Sequence, residues 1–447
     1  MVGEAVESLK YYQKAESMLL SQADRDEVLF GMLSINIGNA FQLRGDFDKA
    51  LLYYQNALNS FSKKLPKGHA NLNTAANNIA FAYNQIGEFD KSISISLKNI
   101  DLQLTSVSRV RLYRNIARSY IGLKNNPHAE VYFKMAIKSS EDLFGKKHYE
   151  YGVSLKDYAV YLSNTLRFAD AVKNFENALV VYQSVFGQND TEVADVIRNI
   201  AYCKTRLKQF DEAEKLFFNA ESILNNFESS QNNAEIQDLT SIRLTDLYFD
   251  FGNLFYLWYL DTKNTNYLKK SFQQLEKAVN LLDGLGVSLS DESRMQLSEN
   301  VRTRFAMAIE VAYQLYKLTD DHTYAAAAFA YSGKSKAAVL LSSVKKLQAF
   351  TSAGVPEEIL NLERKLREDI QAIRKINYEE RQKTVPNQGR ISFLETRQYT
   401  MVRKYDSLLK QIEIGFPEYY SLRYNTGVIK MEELQHKLKN DEVLLEY

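Results

Sequence analysis

The chain contains little cysteine, little proline and no long apolar run. One cysteine, Cys203, and five prolines occur among its 447 residues. A single cysteine excludes an internal disulfide and is typical of a reducing compartment, so we expect a cytoplasmic location. Few prolines favour long helices, because proline breaks the helical hydrogen-bond ladder. The longest apolar runs are too short to span a bilayer, so the sequence predicts no membrane partner.

Neither sign of charge is in excess, with 56 Lys and Arg against 55 Asp and Glu and a net charge of +1. No whole-chain field therefore attracts nucleic acid, and direct nucleic-acid binding is disfavoured. The His-Glu-x-x-His and Cys-x-x-Cys motifs are absent, so we predict no metal site and no cofactor. The five histidines are spread over connections and tails. Because Cys203 then has no sequence-predicted histidine beside it, we predict that these residues form no enzyme.

The most informative feature that the chain does have is an internal repeat. A small residue, an aromatic four positions on and a small or polar residue at the seventh recur with spacings of 42, 42, 37, 42 and 42 residues, and the third copy lacks the aromatic. Self-similarity of this kind predicts a stacked repeat protein. The copies are Ser8/Tyr12/Ala15, Ala50/Tyr54/Ala57, Ser92/Ser96/Asn99, Ala129/Phe133/Ala136, Ala171/Phe175/Ala178 and Ala213/Phe217/Ala220.

A second pattern, such as Asn78-Ile79-Ala80, ends twelve residues before the small residue of the first. Each unit therefore has two helices, in which small residues allow close approach and the aromatic fills the gap. These motifs resemble the tetratricopeptide repeat, and the 42-residue period resembles its kinesin-light-chain type. The resemblance implies an all-α superhelix, or α-solenoid, over residues 1–227. Since its first unit is cut in half, we expect the native N terminus, with or without a signal peptide, to lie upstream.

Beyond these units, residues 228–349 keep the helical pairing with a blurred period and are predicted as divergent helical repeats. The run 248–259 within them is rich in aromatics. We interpret it as a helix buried on several faces, and an aromatic cage for a ligand is the alternative. Residues 350–415 predict a long antiparallel helical hairpin, whose second helix runs from about Ser392 to Ile414.

The C-terminal part carries a second resemblance. Residues 324–341 resemble the helix that precedes CHAT domains, the caspase-like peptidase domains of bacterial proteins, although Gly333 stands where an acidic residue is expected. Residues 416–447 resemble the start of that α/β domain, with short strands around a helix over Lys430–Leu438. The resemblance implies that the repeats regulate or position a CHAT peptidase that these residues do not include.

The first helix of each unit carries the candidate binding residues. An amide side chain both donates and accepts, so a row of asparagines suits the backbone of an extended peptide, and kinesin-light-chain repeats use asparagine similarly. Arginine and lysine on the same face suit carboxylates or phosphates. We therefore predict a concave groove for a protein or peptide of acidic or C-terminal carboxylate character. Its residues are Asn36, Asn39, Asn78, Asn115, Asn199, Arg111, Arg114, Arg118, Lys156, Arg198 and Arg206.

Several alternatives to this groove stay open. The asparagines could simply bridge neighbouring helices and the basic residues form an ordinary solvated face, which would leave a purely structural scaffold. Residues 231–415 could instead sense a small molecule or a signalling peptide. The partner could also be the chain's own CHAT domain. We expect a monomer in each case.

Overall fold

The protein, seen here as a computed structural model, is helical wherever its described residues form regular structure. The described residues contain no strand. They are 2–22, 24–43, 46–100, 107–229, 234–285, 291–335, 355–381, 383 and 387–416.

The helices follow one another with short connections. In chain order they are α1 Val2–Leu20, α2 Glu27–Leu43, α3 Phe47–Lys64, α4 Ala70–Gln85, α5 Phe89–Ile100, α6 Val107–Gly122, α7 Asn126–Phe144, α8 Tyr149–Asn164, α9 Phe168–Phe186, α10 Thr191–Arg206, α11 Phe210–Ser229, α12 Ala234–Thr262, α13 Thr265–Leu285, α14 Asp291–Thr319, α15 322–335, α16 Glu357–Arg381 and α17 Gln388–Gly415.

The small and aromatic residues of the repeat meet between paired helices, as predicted. Ala213, Phe217 and Ala220, which α11 presents to its neighbours, are completely buried. In the pair α2/α3, a Cβ atom added at Gly38 would come within 2.5 Å of the Tyr54 ring. The two helices therefore lie too close for a larger residue at position 38, and the small residues serve packing.

The turn inside each unit recurs at a fixed register. Two residues after each first helix ends, the chain has a residue with positive φ, which is Gly87 (80°), Lys124 (57°), Leu166 (64°) or Lys208 (59°) in four successive units. Three of these four residues are not glycine, so glycine content alone does not reveal the turn. The left-handed backbone at this position reverses the chain and sends the second helix back along the first.

The first helices of successive units lie side by side. Contacts join α2 to α4, α4 to α6, α6 to α8, α8 to α10, α10 to α12 and α12 to α14. The second helices pack against them and form the other layer. This arrangement places the first helices on the inner side of a superhelix, which we call the inner face.

The aromatic run of α12 is core, as interpreted from the sequence. Phe249, Phe251 and Phe255 are at most 2% exposed. Trp258 stacks on Tyr267 of α13, with ring centroids 4.1 Å apart. The run therefore joins the last pairs of helices to the regular repeats.

The hairpin of α16 and α17 folds back onto the first repeats, which the sequence did not predict. Tyr399 of α17 packs edge-on against Tyr53 of α3, with centroids 5.2 Å apart. Arg403 Nε lies 3.2 Å from a Glu16 carboxylate oxygen in α1. The last described helix thus rests on α1 and α3, which are second helices of their units.

Two sequence-based expectations fall on residues that the structure does not describe. The CHAT-like segment 416–447 lies outside the described residues apart from Phe416, which caps α17. The helix predicted over 324–341 is described as far as residue 335. The boundaries at 227, 349 and 415 stay predictions. Within the described ranges, no helix has the length and apolarity that a bilayer-spanning segment needs.

Candidate functional site on the inner face

The sequence-predicted asparagines lie on the first helices, and three of the five contact a neighbouring unit. Asn78 donates to Asn39 Oδ1 at 3.3 Å, which also accepts from the Tyr54 hydroxyl at 2.9 Å. Asn115 is 4% exposed and donates to the Asn77 carbonyl at 3.1 Å. These contacts are those expected of asparagines that bridge neighbouring helices.

Two further asparagines are placed differently. Asn199 is half-buried and donates to the Asp195 carbonyl one turn earlier in α10, at 2.7 Å. Asn36 is exposed on α2. The asparagine row therefore presents a solvent-accessible amide mainly at its N-terminal end.

Five of the six sequence-predicted basic residues, all except Arg206, form an ion-pair ladder with acidic residues of the next first helix. Arg114 reaches two carboxylates of α8, with Nη1 2.8 Å from Glu150 and Nε 2.8 Å from Asp157. Arg111 shares Glu150 at 2.7 Å and Arg118 shares Asp157 at 2.7 Å. The face is therefore of mixed charge, whereas the sequence analysis noted its cations alone.

The ladder continues along the superhelix. Lys156 lies 3.4 Å from Glu192 of α10, which also pairs with Arg243 of α12 at 2.7 Å. Arg198 pairs with Asp250 of α12. From α6 to α12, each first helix thus contacts the following one through charges that reach across the unit boundary.

A fixed register explains why these groups meet. The acceptors Glu150 and Glu192 lie two residues after the N-caps His148 and Asp190, in the first turn of their helices. The positive end of the helix dipole favours a carboxylate there. In the preceding unit, the donors Arg114 and Lys156 lie directly before the residue of the Asn36/Asn78/Asn115 register.

Burial sets the electrostatics of the ladder. Arg114 and Asp157 have side chains 12% and 11% exposed. Burial alone lowers the pKa of Arg114, but the Asp157 and Glu150 carboxylates outweigh it and the pKa is raised. Burial would raise the pKa of Asp157, but Arg118 and Arg114 more than offset it and the pKa is lowered. Both groups therefore stay charged, and each needs the other.

The ladder has no counterpart at the start of the array. In α2 the positions equivalent to the ladder's Glu150 and Arg114 are Leu29 and Ile35. Leu29 and Met32 are each 50% exposed, and Asn36 follows them one turn later. The exposed α2 stripe formed by Leu29, Met32 and Asn36 is an apolar and amide surface at the N-terminal end of the inner face.

Two of the predicted cations keep substantial contact with solvent. The Arg111 side chain is 46% exposed although it pairs with Glu150. Arg206 is exposed, and its guanidinium carbon lies 5.5 Å from the centre of the Phe168 ring. These two cations are the ones that a ligand on the inner face could reach without breaking a buried pair. The role of all eleven predicted residues in binding stays a prediction.

The sequence analysis missed the acidic half of the ladder. Glu150, Asp157, Glu192 and Asp250 follow the basic residues by 36 to 52 positions, about one unit. Acid and base at this separation, repeated from unit to unit, would have been the sequence signal for a structural ladder.

Cys203 lies in the core of the array. It is 0% exposed, and its Sγ lies 3.6 Å from Ser163 Oγ. Burial raises the pKa of its thiol to about 11, although the Ser163 contact lowers it slightly. His69 and His148 cap helices α4 and α8 by accepting backbone N–H groups at 3.2 Å. In the described part of the chain no group of three His, Cys, Asp or Glu side chains could hold a metal ion.

Comparison with known proteins agrees with the repeats. The family model for the tetratricopeptide repeat matches residues 110–150, which include the Arg111 to Glu150 part of the ladder. Amyloid protein-binding protein 2 of Mus musculus is 31% identical over 107 residues, or 24% of this chain and 18% of that protein. The same protein of Rattus norvegicus gives the same figures. The matched region thus spans less than a fifth of these curated relatives.

Solved structures show weaker likenesses. BtubC (BKLC) from P. vanneervenii has a TM-score of 0.39 and 19% identity, covering 52% of this chain and 92% of that one. A Rap protein complexed with Competence and Sporulation Factor has a TM-score of 0.47 and 14% identity, covering 71% and 80%. The helical pairs and the matched repeat together make the chain an all-α solenoid with tetratricopeptide repeats. Such repeats support a protein–protein interaction scaffold.

Proposed function

We propose that this scaffold binds an extended segment of a protein partner along its inner face, starting at the exposed α2 stripe. The exposure of that stripe carries the proposal. Leu29 and Met32 leave half of their surface in water on a helix whose later counterparts hold buried ion pairs. Exposed apolar residues beside amide groups are typical of peptide-binding surfaces.

The neighbouring groups suit an extended peptide. Asn36 offers an accessible donor and acceptor to a backbone, and Asn39 and Asn78 continue the amide row into the next unit. Further along, the Arg111 side chain is 46% exposed although it pairs with Glu150, and its cation can also approach a carboxylate of the partner. The proposal therefore retains a preference for acidic peptides. The other cations of the ladder could bind such a peptide only by leaving the carboxylates with which they are now paired.

The same scaffold is proposed to position a CHAT domain, on the strength of the sequence resemblance of residues 416–447. The hairpin that leads to this segment packs on the repeats that carry the proposed groove. Phe30 of α2, two residues from Met32, belongs to the same buried cluster as Tyr399 of α17. A partner that shifts α2 would therefore also change the surface on which α17 packs.

A binding experiment on the α2 stripe tests the proposal. Arrays of short extended peptides, one half rich in Asp and Glu and the other neutral, are probed with the wild type and with Leu29→Glu/Met32→Glu. Val131→Glu/Met135→Glu is the matched control, because these two residues are 55% and 40% exposed on the second helix α7. We expect the α2 variant to lose binding about tenfold or more and the control to bind as the wild type does.

Three other results would count against parts of the proposal. Equal binding by the α2 variant and the wild type would move the contact away from the inner face. Equal binding of acidic and neutral peptides would remove the acidic preference. A chain that binds no peptide in the arrays would favour the purely structural scaffold.

A further inference from the structure

A cavity lies at the seam between the first repeats and the hairpin, on the side of the second helices and away from the inner face. Its volume is about 460 Å³, within the range of small-molecule sites. Helix α3 supplies one part of the lining and α17 another. Phe30 and Tyr399, which are 1% and 4% exposed, give it apolar ring surface.

Cationic side chains converge on this seam cavity. Arg25, Lys63, Arg403 and Lys404 line it, and none of the described lining residues is acidic. They come from three separate parts of the chain, which are the connection before α2, the end of α3 and the middle of α17. Charges of one sign gathered from distant segments favour an anion between them.

Two carboxylates behind the lining balance only part of this charge. Glu27 pairs with Arg25 at 3.1 Å and with Lys63 at 3.0 Å. Glu16 pairs with Arg403 at 3.2 Å. Four cations against two carboxylates, one of which is the readily protonated Glu16, leave an excess of at least two positive charges at the cavity.

One buried amide in the lining has an unused donor. Asn56 of α3 is 9% exposed, and its Nδ2 has no hydrogen-bond partner among the described residues. A buried donor without an acceptor is costly, and native proteins rarely keep one without a reason. A ligand that carries acceptor oxygens would supply the missing partner.

The rest of the lining narrows the ligand class. The Ser407 hydroxyl adds a further donor beside the cations, whereas the Thr400 hydroxyl already donates to the Thr396 carbonyl and the Ser60 hydroxyl to Glu27. A phosphate group offers three acceptor oxygens and up to two negative charges, which match the excess of two positive charges and the several donors. The rings of Phe30 and Tyr399 leave apolar surface for an organic remainder.

We propose that the seam cavity binds a small phosphorylated organic molecule, of the class of a nucleoside phosphate, and that the bound ligand ties α17 to α3. The seam cavity shares no residue with the exposed α2 stripe or the ladder. A test of the ligand site therefore does not depend on the outcome of the peptide-binding experiment. Occupancy of the cavity stabilises the docked position of the hairpin, because residues of both elements contact the same ligand.

Isothermal titration with ADP, pyrophosphate and citrate tests this site. The cavity variants are Lys404→Gln and Asn56→Leu. Lys138→Gln is the charge-matched control, since Lys138 is a lysine of α7 whose side chain is 74% exposed. We expect ADP and pyrophosphate to bind, each cavity variant to weaken binding about tenfold or more, and the control to leave it unchanged.

Both cavity variants are expected to fold. Lys404 is exposed, and leucine at position 56 keeps the branched outline and the number of side-chain heavy atoms of asparagine while it removes the unpaired donor. Hydrogen exchange gives a second readout, in which ADP slows exchange of the α17 amides in the wild type and not in the variants. Failure of ADP and pyrophosphate to bind, binding of citrate as tight as that of pyrophosphate, or unchanged binding by both cavity variants would each overturn the proposal.

Discussion

The hydroxyl of Tyr399 in α17 donates a hydrogen bond to the carboxylate of Glu16 in α1, and so joins two residues 383 positions apart in the chain. Glu16 is 1% exposed, and Arg403 lies on its other side. Burial raises the pKa of Glu16 to about 7, although Arg403 lowers it in part. A titrating group therefore lies at the contact that holds the hairpin on the first repeats.

This group gives the docked hairpin a dependence on pH. The folded pKa of about 7 lies above the ordinary value of 4.5, so the folded state binds a proton more tightly than the unfolded state. Its stabilising contribution is complete below pH 4.5 and is lost as the pH rises through 7, by at most about 3 kcal/mol. Urea denaturation followed by circular dichroism at pH 5 and pH 8 measures the difference.

The Glu16→Gln variant isolates this contribution. It should reduce the difference in unfolding free energy between the two pH values, because glutamine does not titrate. Glu176→Gln, which changes an exposed glutamate of α9, is the control and should behave as the wild type does. The same pH dependence in Glu16→Gln and in the wild type would show that other groups cause it.

The ion-pair ladder predicts a large contrast between two neighbouring arginines. Arg114→Ala removes the buried cation that Asp157 and Glu150 share, leaves each carboxylate with one arginine that is more exposed, and should destabilise the fold by about 3–5 kcal/mol. Arg111→Ala removes a side chain that is 46% exposed and should cost about 1 kcal/mol or less. Thermal unfolding of both variants checks this. If Arg114→Ala melted at the same temperature as Arg111→Ala, the buried pairs of the ladder would contribute no more to stability than the exposed one.

That contrast also limits how Arg114 can be used to test binding. If the double variant Arg114→Ala/Arg118→Ala lost peptide binding, the cause could be an altered inner face as readily as a lost contact with the peptide. Arg111→Gln and Asn36→Ala are better probes, because the first residue is half-exposed and the second is exposed.

The repeat could be predicted from the sequence because its signal is local and periodic. Ala171, Phe175 and Ala178 lie on one face of a single helix, and the same spacing recurs in neighbouring units. The turn after each first helix was harder to place, because Lys124 and Leu166 adopt positive φ where glycine would be expected. Cooperative packing of the paired helices holds the chain in this conformation at both positions.

The docked hairpin could not be predicted, because it depends on contacts that no local pattern encodes, and the ladder shows in the sequence only as acidic residues that follow basic ones by about one unit. Nothing in the sequence near Tyr399 indicates Tyr53 or Glu16 as its neighbours. The pairing of Arg198 with Asp250 requires the stacking geometry of successive first helices. Sequence reasoning placed the cations on the correct helices and left open what they contact.

Replacing Gly187, the residue that caps the C-terminal end of α9, should lower stability through backbone strain and not through crowding. Gly187 has φ 85° and ψ 171°, a region that is essentially restricted to glycine. A Cβ atom there would have no heavy atom within 4 Å, so crowding plays no part. Gly187→Ala should therefore lower stability by about 1–3 kcal/mol in thermal unfolding. Gly415→Ala, which also meets open space, is the control, and equal effects would contradict this account.

The buried thiol makes Cys203 a reporter of unfolding. Because Cys203 is 0% exposed and burial raises its pKa to about 11, little reactive thiolate exists in the folded protein near neutral pH. We expect Ellman's reagent at pH 8 to modify it only as fast as α10 opens, with a rate that rises steeply with urea. Val180→Cys in a Cys203→Ser background is the control, since Val180 is 68% exposed on α9 and a thiol there should react at once. If native Cys203 reacted as fast as that exposed thiol, it would be accessible and activated, and a catalytic or redox role for it would replace the structural one.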